Sequence, residues 1–149
     1  MNVFREVRKL FEENRRVTDD HQYTVPSSDS YPYQWLWDSC FHAIVLARYD
    51  IESAKAEIKS LLCKQFSNGL VPHIIYWTSG ILHIFHWGTD GTSSLTQPPM
   101  IAYAVLEIHR LKPDTLFLAS VFPSLVAYYQ FLLTERDPHG HHLASIISP

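Results

Sequence analysis

The chain has 149 residues, of which 46% are apolar and 18% are charged, so it has the size and composition of one globular domain and not of a disordered or fibrous protein. Its net charge is −3 and its 12 Lys and Arg residues are scattered, which excludes the basic stripe that nucleic-acid binding requires. The opening sequence MNVFREVRKLFEENRR has no long apolar run, so we expect neither a signal peptide nor a membrane span there, and a cytoplasmic protein.

Helical periodicity predicts three helices in the first half of the chain. The first has one apolar face, formed by Val3, Phe4, Val7, Leu10 and Phe11. We expect this face to lie against a larger body. Residues 17–36 contain two prolines among polar residues and predict a loop. Residues 38–49 form a helix that is apolar on so many sides that we expect it to be buried. Asp50 is expected to cap the next helix, which Asn68-Gly69 ends, and the two helices form an antiparallel hairpin.

A segment of about thirty residues follows, from 69 to 99, and it is long for a connection without structure. Ordered loops of this length are usually functional. Its apolar stretches LVPHIIYW and ILHIFHW could pair as strands, so a short β-hairpin in the 70–96 loop is one alternative.

Prolines set the boundaries that we predict in the last third of the chain. Gln97, Pro98 and Pro99 are expected to open a helix with proline in its first turn. Pro113 is expected to end that helix, and Pro123 to separate a short helix from a longer one. No segment alternates strongly enough to predict a large sheet. The predicted fold class is therefore all-α, built of antiparallel helical hairpins.

Cysteine and histidine residues do not form a recognisable ligand set. Cys40 and Cys63 lie in predicted helices without a CxxC spacing, so we expect both to be buried free thiols. The histidines in HIFH and HGHH have no carboxylate at the spacing of an HExxH helix. We therefore expect no metal and no cofactor.

The stretch YPYQWLWDSCFH places four aromatic residues and one Asp within eight positions. Aromatic faces pack on the C–H surface of a sugar, while a carboxylate accepts hydrogen bonds from its hydroxyls. Trp35 and Trp37 would give a stacking wall, Asp38 would bind two hydroxyls, and Gln97 would point its amide into the same rim. Two alternatives remain open: Asp38 is only a helix N-cap, and the tryptophans belong to the core.

Three motifs in the same order carry a resemblance to a known family. They are YPYQWLWDSCFHAIVLARYDIESAKAEIKSLL, NGLVPHIIYW and SSLTQPPMIAYAV. Together they resemble the (α/α)6 barrel glycosidases related to glycoside hydrolase family 63, and most of all the bacterial mannosylglycerate and glucosylglycerate hydrolases. The resemblance runs from about Tyr31 to Pro149. It implies that residues 1–149 are the N-terminal part of a single catalytic domain, in which six helical hairpins form a toroid.

The resemblance also implies which residues bind substrate. The aromatic loop of the family lines the sugar pocket, and it falls here on four residues, Tyr31, Trp35, Trp37 and Asp38. Gln97 matches a polar pocket residue of the family. His73 and Trp87 are further candidates in the segment where family members differ most. The implied ligand is a small glycoside or sugar.

The catalytic groups that the resemblance implies are not in this sequence. The family inverts configuration, which takes a general acid and a general base on opposite faces of the sugar. Its acid is an Asp in a motif like WESGxDNSP, which follows a stretch like HLASIISP, and its base is a Glu farther on. The chain would thus supply sugar-binding residues of an inverting α-glycosidase for glucosylglycerate or mannosylglycerate, and would be inactive alone.

Two alternatives to this function stay open. One is an oligosaccharide glucosidase or trehalase-like enzyme of the same fold, and the other is a non-catalytic sugar-binding or interaction module. The sequence sets no oligomeric state. A partial toroid leaves an apolar flank in water, so we expect the isolated chain to associate.

Overall fold

The structure is a computed structural model that describes residues 2–18, 20–77, 89 and 91–145. Within these ranges the chain forms five helices and two short two-stranded sheets, which confirms the all-α class. The elements in chain order are α1 (Val3–Asn14), β1 (Arg15–Val17), β2 (Gln22–Thr24), β3 (Gln34–Trp35), α2 (Leu36–Leu46), α3 (Ile51–Leu62), β4 (Ile74–Ile75), α4 (Ile101–Leu111) and α5 (Thr115–Thr134).

Helices α2 and α3 pack together at the centre of the fold after a connection of only four residues, 47–50. The predicted cap of α3 is confirmed, because Asp50 Oδ1 accepts the backbone N–H of Ser53 at 3.1 Å. Both helices contribute fully buried apolar side chains, namely Leu36, Cys40, Ala43, Ala54, Ile58 and Leu61. Helix α3 ends at Leu62, earlier than predicted, and Gly69 adopts a φ of 96° in the turn that follows.

The tandem prolines precede α4 and do not lie in its first turn. A residue before proline is disfavoured in the helical conformation, so Pro98 and Pro99 keep Gln97 and Pro98 out of the helix. Helix α4 therefore begins at Ile101. The predicted end is confirmed, because α4 stops at Leu111, before Pro113.

The prediction that Pro123 divides the last helical segment is wrong. Helix α5 runs without a break from Thr115 to Thr134 and contains Pro123 on its exposed side. A proline inside a helix costs about 3 kcal/mol or more. The buried side chains of α5 outweigh that cost, since Phe117 and Val121 precede the proline and Leu125 follows it in the same core.

The short strands pair segments of the chain that lie before and after α2. Strands β1 and β2 pair antiparallel, with Arg15 opposite Thr24. Strand β3 pairs antiparallel with β4, so Trp35 lies opposite Ile74, and Ile75 also forms an isolated bridge to Thr92. The first stretch of the predicted 70–96 hairpin is thus a strand whose main partner is β3. Its second stretch lies outside the described residues.

Helix α1 contacts the body of the protein mainly through Phe11. Its ring lies 5.4 Å from that of His42 and 6.4 Å from that of Tyr49, edge-on in both cases. Phe4 and Leu10 of the predicted apolar face are exposed. The expectation that the whole face lies against a larger body is therefore wrong for its exposed residues, whereas Phe11 packs against the core.

Apolar surface remains exposed on the long helices. On α2, Trp37, Phe41 and Val45 recur every four residues and are 41%, 47% and 36% exposed. The expectation that this helix is buried on all sides is thus wrong for one stripe. On α5, Leu116 and Phe122 are exposed as well. Helix α5 is long and apolar enough to cross a membrane by length and composition alone, a test that the core helix of a globular protein also meets.

The two cysteines differ in their surroundings. Cys40 is a buried free thiol, as predicted. Cys63 follows the last residue of α3 and is exposed, so the prediction that it is buried is wrong. In the described part of the chain, no three His, Cys, Asp or Glu side chains converge as a metal site would require.

Candidate functional site

A pocket of about 260 Å³ lies at the N-terminus of α2. Its lining residues are Pro26, Tyr31, Trp35, Trp37, Asp38 and Gln97. Five of these six are residues that the sequence predicts to bind a sugar, and they come from segments as far apart as residues 31 and 97. Of the other candidates, His73 lies behind the pocket wall and Trp87 lies outside the described residues.

Aromatic rings form one wall of the pocket. Tyr31 packs its ring edge-on against Trp35, with the centroids 5.8 Å apart. A β-bridge between Ser27 and Tyr31 holds the turn before them. Tyr31 and Trp37 are 54% and 41% exposed, so their faces remain available to a ligand. Trp35 is more enclosed, and its buried Nε1 has no hydrogen-bond partner among the described residues.

His73 supports Trp35 instead of lining the pocket. Its ring lies 5.6 Å from the Trp35 ring, edge-on, and its Nδ1 lies 2.6 Å from Ser93 Oγ. Burial lowers the pKa of His73, which favours the neutral imidazole. Its backbone carbonyl accepts the N–H of Leu36 at 3.0 Å. His73 therefore fixes both the wall of the pocket and the first residue of α2.

The N-terminus of α2 is capped from other parts of the chain. Trp35 occupies the N-cap position, and no side chain there accepts a hydrogen bond. Gln97 Oε1 accepts the N–H of Trp37 at 3.1 Å, while the His73 carbonyl accepts that of Leu36. Two of the four N–H groups that a helix leaves unpaired at this end are thereby satisfied. Gln97 therefore joins the pocket to α2 through its oxygen, and its Nε2 is left for another acceptor.

Asp38 is the third residue of α2 and is not its N-cap, so the capping alternative from the sequence is wrong. Its side chain is half-buried at the pocket. Burial raises the pKa of Asp38, although hydrogen bonds from its own N–H and from Trp37 act in the opposite direction. The positive end of the helix dipole also favours a carboxylate at this position.

Tyr128 of α5 holds the segment that carries Gln97. Its buried hydroxyl donates to the Gln97 carbonyl at 3.1 Å and lies 2.7 Å from Thr96 Oγ1. Sequence reasoning missed this residue, because a Tyr on the apolar face of a helix has the pattern of any core residue.

A second cavity, of about 290 Å³, shares Gln97 with the pocket. It is lined by Leu95, Thr96, Gln97, Pro98, Pro99, Leu132, Arg136, Ala144 and Ser145. These described lining residues include none of the aromatic residues of the 31–42 stretch and no carboxylate. The pocket at α2 is therefore the better candidate for a sugar.

The arrangement at α2 presents the kinds of groups that recognise a sugar. Aromatic faces, a carboxylate and an amide match the C–H surface and hydroxyls of a pyranose. Glycoside hydrolysis requires two carboxyl groups. Among the lining residues that the structure describes, Asp38 is the only carboxylate.

Comparison with known proteins finds mannosylglycerate and glucosylglycerate hydrolases among the relatives of the chain. The chain is 34% identical to "Mannosylglycerate hydrolase MGH1" of Selaginella moellendorffii over 95% of its own length and 30% of the relative. It is 38% identical to "Glucosylglycerate hydrolase" of Mycolicibacterium hassiacum over 52% of its length and 20% of the relative. The chain thus spans about a third or less of the length of the curated relatives that it matches.

Solved structures agree with these sequence relatives. The GH63 mannosylglycerate hydrolase from Thermus thermophilus, in complex with Tris, superimposes with a TM-score of 0.79 at 30% identity, over 91% of this chain and 34% of that chain. The same enzyme in complex with Tris and D-glycerate gives 0.77 at 30% identity, over 91% and 33%. Its complex with glucose gives 0.75 at 31% identity, over 91% and 34%.

The model of the family described as "Mannosylglycerate hydrolase MGH1-like glycoside hydrolase domain" matches residues 31–149, which is most of the chain and includes the whole aromatic stretch. The chain therefore belongs to the mannosylglycerate hydrolase MGH1-like family of glycoside hydrolases.

Proposed function

We propose that the pocket at α2 binds the sugar ring of a small glycoside such as glucosylglycerate or mannosylglycerate. The observation that carries this proposal is the convergence of Tyr31, Trp35, Trp37, Asp38 and Gln97 around one space of about 260 Å³. The known relatives whose names include these two substrates support the same ligand class. So do the related structures that contain glucose and D-glycerate.

Each lining residue has a distinct role in the proposed complex. The exposed faces of Tyr31 and Trp37 pack on the C–H surface of the ring. Asp38 accepts hydrogen bonds from two neighbouring hydroxyls, which are stronger than those to a neutral acceptor. Gln97 donates from Nε2, because its Oε1 is already bonded to α2. His73 keeps Trp35 in place from behind.

We further propose that this pocket belongs to a catalytic domain that extends beyond these residues. Residues 1–149 would be the N-terminal part of one (α/α)6 catalytic domain of an inverting α-glycosidase. Its general acid and base would lie outside these residues, since the part of the pocket lining that the structure describes has a single carboxylate. The sugar site and the proton-transfer groups would thus come from different parts of one barrel.

Ligand binding by the chain tests the proposed sugar site. Titration with glucosylglycerate, mannosylglycerate and glucose, followed by tryptophan fluorescence, should give saturable binding. Trp37→Ala and Asp38→Asn should abolish it. Val45→Ala is the matched control, since Val45 lies on the same exposed stripe of α2, two turns from Trp37 and outside the pocket. Absence of binding at millimolar ligand, or equal binding by Asp38→Asn, would contradict the proposal.

A non-catalytic sugar-binding module is the second candidate, and it is favoured by the single carboxylate among the described lining residues. It differs from the enzyme in one measurable way. Fusion of the downstream barrel of a family member to this chain should give glycerate release from glucosylglycerate if the chain is part of an enzyme. A folded fusion that binds the glycoside without hydrolysing it would support the binding module.

A further inference from the structure

A buried carboxyl group lies beneath the sugar pocket. Glu57, on the inner face of α3, is 1% exposed. The groups that hydrogen-bond its side chain in the described part of the chain are neutral, and burial raises the pKa of Glu57 to about 8. Burying a carboxyl group without a cation is costly unless its hydrogen bonds are complete. The hydrogen bonds around Glu57 therefore matter for stability, and they connect it to residues next to the pocket.

Two of the described side chains donate hydrogen bonds to Glu57, and the amide of a third lies beside it. Ser39 Oγ donates to Oε1, and Thr24 donates through both its hydroxyl and its backbone N–H. Gln34 Nε2 lies 3.5 Å from Oε1 and donates to Ser39 Oγ at 3.2 Å. Gln34 itself is fully buried. Glu57 is thus the final acceptor of several donors, which come from β2, β3 and α2.

Two of these partners, Gln34 and Ser39, adjoin a residue of the pocket. Gln34 directly precedes Trp35 in β3, and neighbouring side chains of a strand point to opposite faces. An anchor on Gln34 inside the protein therefore fixes Trp35 at the wall. Ser39 directly follows Asp38 in α2, so its bond to Glu57 fixes the rotation of the helix at that carboxylate.

The same network reaches the segment that follows β4. Trp77 Nε1 donates to Gln34 Oε1 at 2.9 Å. Gln34 Nε2 donates to Ser60 Oγ at 2.7 Å, and that hydroxyl donates to the Glu57 carbonyl at 2.8 Å. The amide of Gln34 is thus held at both ends. Loss of the Glu57 carboxyl would leave buried donors unpaired and release this arrangement.

From these contacts we infer that Glu57 is a positioning residue of the sugar site. Through Gln34 and Ser39 it fixes the places of Trp35 and Asp38, although it does not touch the ligand. The inference rests on the proposed sugar-binding function, because it assigns Glu57 a role at that same site.

Two substitutions at Glu57 separate positioning from stability. Glu57→Gln keeps the shape and an acceptor oxygen, whereas Glu57→Leu keeps the volume and removes every acceptor. Leu61→Ala is the control. It opens a cavity on the same helix, but the leucine side chain that it removes takes no part in the hydrogen-bond network. With glucose as the probe, we expect Glu57→Leu to raise Kd about tenfold, which is the effect of about 1.4 kcal/mol from buried donors left unpaired. Glu57→Gln should change it less than about threefold, and Leu61→Ala should lower the Tm without changing Kd. A folded Glu57→Leu protein with the wild-type Kd would overturn the inference.

A second measurement does not depend on sugar binding. In 5-fluorotryptophan-labelled chain, the ¹⁹F resonance of Trp35, assigned with Trp35→Phe, should shift in Glu57→Leu and stay in place in Leu61→Ala. Ser39→Ala breaks one link of the network and serves if Glu57→Leu does not fold. An unshifted Trp35 resonance in Ser39→Ala would overturn the positioning role. Failure of the wild-type chain to bind glucose would instead refute the proposed function, while the ¹⁹F result would still decide the role of Glu57.

Discussion

Gly69 brings the turn after α3 against the backbone of α5, and its replacement tests that contact. A Cβ at this position would overlap the carbonyl oxygen of Ala127 and lie 2.9 Å from its carbonyl carbon. It would also lie 3.2 Å from Phe131 Cβ. The Gly69 φ of 96° is in addition a conformation that alanine rarely adopts.

The magnitude follows from two separate costs. The positive φ costs about 1–2 kcal/mol for a residue with a Cβ. The clash with helix backbone adds about 1–3 kcal/mol, because neither segment can yield without moving buried side chains. The lower entropy of the unfolded alanine chain returns less than about 1 kcal/mol. We therefore expect Gly69→Ala to lower the free energy of unfolding by about 2–4 kcal/mol, or the Tm by about 10 °C.

Gly140 provides the matched control. Its φ is 66°, but a Cβ there would meet nothing within 4 Å. Gly140→Ala therefore has the conformational cost without the clash, and we expect a loss of about 1 kcal/mol or less. Urea denaturation followed by circular dichroism measures both variants. A difference between them of less than about 1 kcal/mol would refute the packing of Gly69 against α5.

Four further predictions concern pH, a hydroxyl group and association. Burial raises the folded-state pKa of Glu57 from 4.5 to about 8, so its contribution to stability is complete below about pH 4.5 and is lost as the pH rises through 8. Urea denaturation at a series of pH values should show this decline in the wild-type chain and not in Glu57→Gln. His42 acts in the opposite direction: burial lowers its pKa from 6.5 to about 4, so stability should fall as the pH drops through this range, and His42→Phe should reduce that loss in thermal melts. Tyr128→Phe should lower the free energy of unfolding by about 1–2 kcal/mol and weaken sugar binding, because Tyr128 holds Gln97. An unchanged Kd in calorimetry would show that Tyr128 does not position Gln97 for binding. Phe122→Ser should reduce concentration-dependent association of the chain in sedimentation velocity, and no reduction would mean that another surface associates.

Sequence periodicity was sufficient for the helices whose ends carry a local signal. Asp50 and Pro113 act on residues next to them, and the boundaries that they predict agree with the structure. Pro123 misled the prediction because the burial of α5 against the core is a tertiary contribution that exceeds the local cost of proline. The exposure of Cys63 likewise depends on where α3 ends.

At the pocket, the types of the side chains could be predicted from the sequence, whereas the hydrogen bonds between them could not. Aromatic residues, Asp38 and Gln97 have side chains suited to sugars, and the structure brings them together. Sequence could not show that Gln97 bonds to the N-terminus of α2, because the two groups are 60 residues apart. Glu57 did leave a signal, since it lies one turn from Ala54 and Leu61 on an apolar helix face, where an acidic residue is unusual.

The capping of α2 by Gln97 and the His73 carbonyl has a consequence for folding kinetics. The first turn of that helix obtains its acceptors only after distant segments have closed onto it, and closing a loop of 60 residues carries a large entropic cost. The binding-competent first turn should accordingly form late, after the α2–α3 hairpin has docked. A nascent chain that has not yet emerged past residue 97 would thus contain the aromatic stretch but no acceptor for the N–H of Trp37. The chain would accordingly bind its ligand only after this last contact has formed.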